Sequence, residues 1–513
     1  MPLSGGGEAG GGREERIGGT DELQLPEMMT KPGSAFATAQ SAPAAKRRAG
    51  SGAANGEENA RPLANFSYHT IEVIQMSTTR RHFVKSGASA AILYKLAGPK
   101  PTLKAAGPND SIGLGFIGIG IRGSEHVTTF GKIPGVRTIV AADCYDGHLA
   151  WAKEATENKI ETTKDYHAVL DRKDVDAVVI ATPDHWHTRI VLDSLAAGKH
   201  VFVEKPMTYT IAEGKQVIEA AKRSGKLVMV GSQAKTTTLV AKAREVVKSG
   251  VLGKLNMARL GDYRNSPEGA WVYPVPADAN EKTIDWNRWL GPAPKRAFDP
   301  KVVFRWRCWW EYSGGVATDL WVHNLTTIHE ILDIKAPPRS AVAQGGILRF
   351  PDGRTCPDVL VGVMEYPDLV LEITANLGST RRATETMVCG SEASLSMTRK
   401  GVLVTFEPTP SPIAFYGLNG WPKALREQYL ESMGAAGGQR PATPPTKPPE
   451  EIPVEQGLSH NEWFIKALRE NLPSPESAEE GHNAATAAHM GNLSYRKGKK
   501  IRYDAAAFKA IEA

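Results

Sequence analysis

The 513-residue sequence predicts an α/β protein whose first folded half is a doubly wound parallel sheet. Three observations carry this. A short apolar strand at 111–117 runs directly into Gly118-Ile119-Gly120-Ile121-Arg122-Gly123. A second strand, 137–142, ends on the acidic Asp143, 20 residues beyond Gly123. Buried-type strands at 176–181, 200–203 and 227–230 then alternate with helical stretches reaching about Ala197 and spanning Ile211 to Arg223, closing the sheet near Gly231.

Each element has a physical reason. In G-x-G-x-x-G, Gly118 permits the tight turn, Gly120 lets backbone approach a pyrophosphate, and Gly123 lets the helix pack on its strand. The positive end of that helix then points at the phosphates. Asp143 suits the adenosine ribose hydroxyls and repels a 2′-phosphate, so NAD is favoured over NADP. Arg122 either neutralises the pyrophosphate or is solvated. Open α/β sheets bind ligands beyond the carboxyl ends of their strands. Two such ends carry chemistry here: Thr182-Pro183-Asp184-His185-Trp186-His187 and Glu204-Lys205-Pro206. Thr182, Pro183, Trp186, His187, Glu204, Lys205 and Gln233 are therefore assigned to the cofactor side. A lysine there can polarise a reacting hydroxyl.

Residues 1–75 are rich in Gly, Ala and Ser, without hydrophobic periodicity, and read as a disordered leader or an untranslated extension. Met76 is then a plausible start, because Ser77-Thr78-Thr79-Arg80-Arg81-His82-Phe83-Val84-Lys85 resembles a twin-arginine export signal, followed by an apolar stretch and a linker to 110. That reading makes the twin-arginine machinery a partner and the location periplasmic, or cytoplasmic if the signal is unused. Export of a folded protein also implies that NAD leaves tightly bound. The net charge of +6 is small for the length, so nucleic acid is not the leading partner. No stretch of about eighteen uncharged apolar residues exists, which argues against a stable membrane span after cleavage. The 4 cysteines are far apart, and no histidine spacing, including His460, His482 and His489, indicates a metal.

The combination of G-x-G-x-x-G, Thr182-Pro183-x-x-x-His187, and Gly198-Lys199-His200-Val201 leading to Glu204-Lys205-Pro206 resembles the glucose–fructose oxidoreductase and inositol dehydrogenase family, most strongly over 111–335. The resemblance implies an NAD-binding Rossmann domain at 111–232. It also implies a C-terminal α/β domain at 233–513, built on a large, mostly antiparallel sheet whose exposed face makes dimers or tetramers. It further implies that Lys205, Asp319 and His323 are catalytic. His323 would take a carbinol proton, Lys205 would bind the developing alkoxide, and Asp319 would orient the substrate or the histidine.

The residues support that pair in their own right. Gly314-Gly315 precedes an amphipathic helix with Leu320, Leu325, Ile328 and Leu332, on which Asp319 and His323, four apart, share a face. His329 lies on the same helix without a motif. Trp321 stands where the family commonly has glycine, which predicts a narrowed pocket or a changed substrate. Upstream, Arg307, Trp309 and Trp310 are assigned to sugar binding, with Tyr263 and Arg264 as weaker candidates. Strands are expected near 341–344, 359–365 and 370–375, a Pro-rich loop at 436–454, and a final helix from Glu479 through Tyr495. Three functions compete. The first is an exported NAD-dependent sugar or polyol oxidoreductase. The second is a glycosidase using transient oxidation by bound NAD, although the second-domain histidine–tyrosine signature of such enzymes is not found. The third is a non-catalytic sugar-binding protein.

Overall fold

A computed structural model describes residues 111–380, 385–411, 413–435 and 446–513. The expected leader and export signal (1–110) and residues 436–445 of the Pro-rich loop lie outside the described residues. The first sheet contains β1 (Ile112–Ile117), β2 (Val136–Ala142), β3 (Glu161–Thr163), β4 (Ala177–Ile180), β5 (His200–Glu204) and β6 (Val228–Gly231). All are parallel, in the order β3-β2-β1-β4-β5-β6. The chain builds outward from β1 to β3, then resumes on the other side of β1 with β4. The connections after β1 and β4 therefore diverge and open a crevice at the strands' carboxyl ends. β3 escaped the sequence pattern because its three polar residues carry no apolar run.

Branched and aromatic side chains fill both faces, as a parallel sheet requires. On one face Phe116, Phe130 and Phe202 pack with Phe464 and Ile465 from the helix His460–Glu470. On the other, Ala478 at the start of the helix Ala478–Lys497 joins Met207, Val217 and Val230. The helix His460–Glu470, assigned from sequence to the second domain, thus packs on the first sheet, while the helix Ala478–Lys497 starts beside that sheet and continues into the second core. An amphipathic helix advertises its apolar face but not which sheet will bury it.

The second sheet contains β7 (Leu255–Tyr263), β8 (Ser340–Gly346), β9 (Val359–Tyr366), β10 (Leu369–Asn376), β11 (Glu385–Gly390), β12 (Ala393–Met397), β13 (Gly401–Phe406), β14 (Glu450–Pro453), β15 (Ile501–Asp504) and β16 (Lys509–Glu512). Their order is β14-β13-β12-β11-β7-β10-β9-β8-β15-β16. The β7–β10 pair is parallel and the other pairs are antiparallel. Strict alternation in β9 places Leu360 and Met364 inward and Val361 and Val363 outward. The inner face buries the helices Thr238–Lys248, Val322–Leu332 and Ala478–Lys497. Among the described residues, no helix is long and apolar enough to cross a membrane.

Candidate active site

The glycine turn is built as its sequence requires. Gly118 has φ of 85°, and a Cβ there would lie 2.8 Å from the Ala181–Thr182 peptide. A Cβ on Gly123 would sit 1.9 Å from the Gly118 carbonyl oxygen, so this residue sets how closely the helix Ile121–Gly131 meets β1. At Gly120, by contrast, a Cβ would meet nothing within 4 Å: this position faces open space. The helix begins without a side-chain cap, leaving its first amides for a ligand. Asp143 accepts hydrogen bonds from Ile119 N at 2.6 Å and Tyr145 N at 2.9 Å, so the acidic residue also fixes the loop. Burial would raise its carboxyl, but His148 and the two amides hold it below its ordinary value.

Two connected spaces lie over this edge. One, of about 700 Å³, is bordered by Gly118, Asp143, Thr182, Pro183 and Trp186. The other, of about 1520 Å³, is bordered by Arg122, Glu204, Lys205, Gln233, Asp319 and His323. They share Gly120, His148, Ala181, Thr182, Val303 and Trp306. Among the described residues the buried hydroxyl of Thr182 has no partner, and Thr182 borders both spaces. An uncapped helix start, an open Gly120 and an unpartnered hydroxyl along one crevice fit a dinucleotide running from Asp143 to Lys205.

At the far end the two domains meet through charge. β5 ends in the buried Glu204, which accepts from Arg122 Nε (2.8 Å), His126 Nε2 (2.7 Å) and Gln233 Nε2 (3.1 Å). This anchoring fixes the next residue, Lys205, whose Nζ donates to Asp319 Oδ1 at 2.7 Å and to the Asp319 carbonyl at 2.9 Å. Arg307 Nε donates to the same Oδ1 at 2.7 Å, and its guanidinium lies 4.1 Å from the centre of the Trp306 ring. Burial would raise the Asp319 carboxyl, but Lys205 and Arg307 hold it well below the usual carboxylate range. His323 Nδ1 faces the Ser232 carbonyl at 3.4 Å. A carbonyl can only accept, so the neutral imidazole keeps its lone pair on Nε2. Burial, then the charge of Lys205, lower His323 to about 4.

Several sequence assignments change. Asp319 lies in a π-helical turn, Ala317–Trp321, that precedes the α-helix Val322–Leu332, so the simple i,i+4 register fails. Both side chains border the same space, but Asp319 is held by Lys205 and Arg307 rather than aimed at His323. Trp321 does not narrow the cleft. Its fully buried indole turns into the second core, where a Cβ on Gly491 would lie 2.5 Å from it and one on Gly362 2.8 Å. His187 is buried beneath the cofactor edge, with its ring nitrogens at the carbonyls of Pro206 (2.7 Å) and Thr182 (2.9 Å), and braces both strand ends. Arg122 is not free: it pairs with the buried Glu204 and the exposed Glu125 while its side chain stays 34% exposed.

Of the proposed sugar contacts, Arg264 and Arg307 border the cleft. Tyr263, Trp309 and Trp310 do not. Trp309 packs into the apolar clusters, and Trp310 lies under Arg496 with its carbonyl accepting from Tyr209. Trp271, Tyr273 and Trp306 take the wall instead. Trp306 stood in the same aromatic run, but periodicity within a loop cannot say which ring turns inward. Asp184 was also missed as a separate element: buried behind Thr318 and Ser313, it accepts from their hydroxyls at 3.3 and 3.0 Å, and burial raises its carboxyl. Its position in Thr182-Pro183-Asp184 was the available signal. The three C-terminal histidines pack against protein groups: Nε2 of His460, His489 and His482 faces the Val230 carbonyl, the Thr208 carbonyl and the Tyr503 hydroxyl. Among the described residues, no group of three or more His, Cys, Asp or Glu side chains could hold a metal ion.

A crevice floored by glycine and ending in a lysine, a carboxylate and a neutral histidine defines a dinucleotide-dependent redox domain. Residues 112–232 match the oxidoreductase family's NAD-binding Rossmann fold, and 236–342 match that family's C-terminal α/β domain. The two matched regions are the paired domains of one oxidoreductase family, to which this part of the chain is similar. Among curated relatives, it is 31% identical over 204 residues to an alpha-N-acetylgalactosaminidase of Shewanella oneidensis, a match covering 34% of this chain and 44% of that one. It therefore spans less than half the length of that relative. In fold it is similar to levoglucosan dehydrogenase in complex with NADH and levoglucosan (TM-score 0.54, 18% identity, 76% of this chain and 99% of that one). It is equally similar to aldose-aldose oxidoreductase from Caulobacter crescentus (TM-score 0.54, 16% identity, 76% and 99%).

Proposed function

We propose that the protein is an exported NAD-dependent oxidoreductase that transfers hydride between a carbinol carbon of a sugar or polyol and a tightly held nicotinamide. The observation that carries this reading is the junction of Lys205, Asp319 and His323 at the end of the dinucleotide crevice. When bound, the nicotinamide supplies the hydride acceptor. Two of the three Lys205 N–H donors are fixed on Asp319, which leaves one for the substrate oxygen. That donor stabilises a developing alkoxide. His323, neutral at physiological pH, takes the hydroxyl proton on Nε2. Asp319 thus acts by aiming Lys205, which revises the orienting role first given to it.

The test is direct. Purified protein is mixed with sugars, polyols and glycosides while nicotinamide absorbance and product are followed. Reduction of bound cofactor with formation of a carbonyl product is expected, and no reduction by any of them, nor by sugar acids or sugar phosphates, would end the reading. Extractable NAD in the purified protein and its presence in the exported fraction test tight binding and export. A second reading rests on the likeness to the Shewanella alpha-N-acetylgalactosaminidase. A glycosidase working by transient oxidation would release aglycone from a chromogenic glycoside without net NADH.

A further inference from the structure

The charges around the larger space are not balanced. Four cations border it (Arg122, Lys205, Arg264 and Arg307) against three carboxylates, Glu125, Glu204 and Asp319. The pairs account for every carboxylate: Arg122 lies with Glu204 and Glu125, and Lys205 and Arg307 both lie on Asp319. Arg264 is left. Among the described residues its guanidinium has no hydrogen-bond or ion-pair partner, although the side chain is half-buried.

Arg264 is also held in place. Its backbone N–H donates to the Asn376 carbonyl at 2.9 Å, fixing it at the end of β7. Its stem packs on the turn 266–272, where a Cβ on Gly269 would lie 3.0 Å from Arg264 Cβ. That turn carries Trp271, whose φ of 61° is a left-handed conformation strained for so bulky a residue. The strain sits beside Tyr273, which borders the same space, while Trp271 itself touches that space only at its edge and is otherwise packed in the second core. A guanidinium kept inside a cleft, unpaired, beside aromatic faces, is built to receive a planar or tetrahedral anion attached to an apolar-faced ring.

We infer that the substrate of this site is an anionic sugar derivative, with a carboxylate or phosphate seated on Arg264 while its carbinol faces Lys205 and His323. The inference rests on the oxidoreductase reading and sharpens its substrate class.

The experiment uses holoenzyme and three ligand sets at matched concentration: sugar acids, sugar phosphates, and their neutral parents. Bound-cofactor reduction and calorimetric binding are both measured, for wild type, Arg264→Gln and Arg264→Lys. An anionic set is expected to exceed its neutral parents by at least ~10-fold in kcat/KM, and which set does so identifies carboxylate or phosphate. Arg264→Gln should lower the anionic-to-neutral ratio by about 10–100-fold, mainly through KM, with Arg264→Lys recovering part of it. Neutral sugars preferred by wild type, or selectivity intact in Arg264→Gln, would overturn the inference while leaving the oxidoreductase reading standing. If no compound reduces the cofactor, the oxidoreductase reading falls instead. Calorimetry still decides the anion site: binding of an anionic sugar lost in Arg264→Gln supports it, and equal binding of acid and parent refutes it.

Discussion

Lys205 Nζ lies 2.7 Å from Asp319 Oδ1, and this ion pair joins the end of β5 in the first domain to the π turn of the second. Neither residue is left to solvent: the lysine side chain is 9% and the aspartate 13% exposed. A buried pair of this kind is weak support for stability, because desolvation offsets much of the attraction. Its value here is position. The pair holds one N–H of Lys205 free beside His323 at the mouth of a dinucleotide crevice.

Removing the lysine should therefore separate catalysis from folding. In Lys205→Met the Asp319 carboxylate keeps Arg307 as a partner, so thermal unfolding should shift modestly. Cofactor reduction by substrate should fall about 10²–10⁴-fold. A variant that folds, binds NAD and turns over at the wild-type rate would exclude Lys205 from the chemistry.

The glycines of the turn make a second pair of expectations. Gly123→Ala brings a methyl within 1.9 Å of the Gly118 carbonyl oxygen and should destabilise the domain as well as empty it of NAD. Gly120→Ala meets no protein atom within 4 Å. It should unfold at nearly the wild-type temperature yet bind NAD at least ~10-fold more weakly, because only the cofactor needs that space. Isothermal titration beside thermal denaturation tests both, and equal NAD affinity in Gly120→Ala would refute the crevice assignment.

Trp321 is expected to behave as core and not as pocket. Trp321→Ala should cost about 3–5 kcal/mol in denaturant unfolding. Gly491→Ala should also destabilise the protein, since its methyl would approach the indole to 2.5 Å. A change of substrate preference without loss of stability in Trp321→Ala would restore the sequence expectation.

Acid should unfold the protein through its buried histidines. Burial lowers His185, His323, His460 and His482 to about 4 and His329 to about 3, from an ordinary value of 6.5. In that window the unfolded chain binds protons that the folded one refuses. Stability is thus fully present above pH 6.5 and lost as pH falls toward 4, by up to about 1.4 kcal/mol per pH unit for each histidine. Denaturant titrations at several pH values measure the slope. The same depression keeps His323 able to accept a proton down to about pH 4, so the rate should be flat where the fold survives.

Glu476 has the opposite sign. It is fully buried, Oε1 accepts from Ser232 Oγ at 2.9 Å, and Oε2 has no partner among the described residues. Burial raises its carboxyl from 4.5 to about 8. The folded state therefore holds a proton that the unfolded chain has released, and stability falls as pH rises through that interval. Glu476→Gln should remove this slope and be more stable than wild type above pH 8. Parallel pH–stability curves for the two proteins would contradict the assignment.

The first sheet was legible because local rules and global fold agree there. Strand, glycine turn and helix share one short segment, and Asp143 stands at the spacing a ribose contact demands. Lys205, Asp319 and His323 were legible through motif residues. The wall of the substrate space was not. Trp309 and Trp310 look no different from Trp306 in sequence, yet one ring faces the cleft, one packs into the apolar clusters and one lies under Arg496. Trp321 misled because only its contact with Gly362 on β9 and Gly491 on the last helix shows that room was made for it elsewhere.

By itself, then, the sequence determined the doubly wound sheet, the dinucleotide edge and the residue types at the reaction end, since strand period, glycine freedom and helix polarity act over a few neighbouring residues. Tertiary structure alone decided what each of those groups touches. It gave Asp319 to Lys205 and Arg307, turned His187 into a brace, sent Trp321 into the core and left Arg264 in the cleft without a partner among the described residues. Partners of charged and aromatic side chains are often supplied by distant segments, as with the 114 residues between Lys205 and Asp319. No local period records that distance.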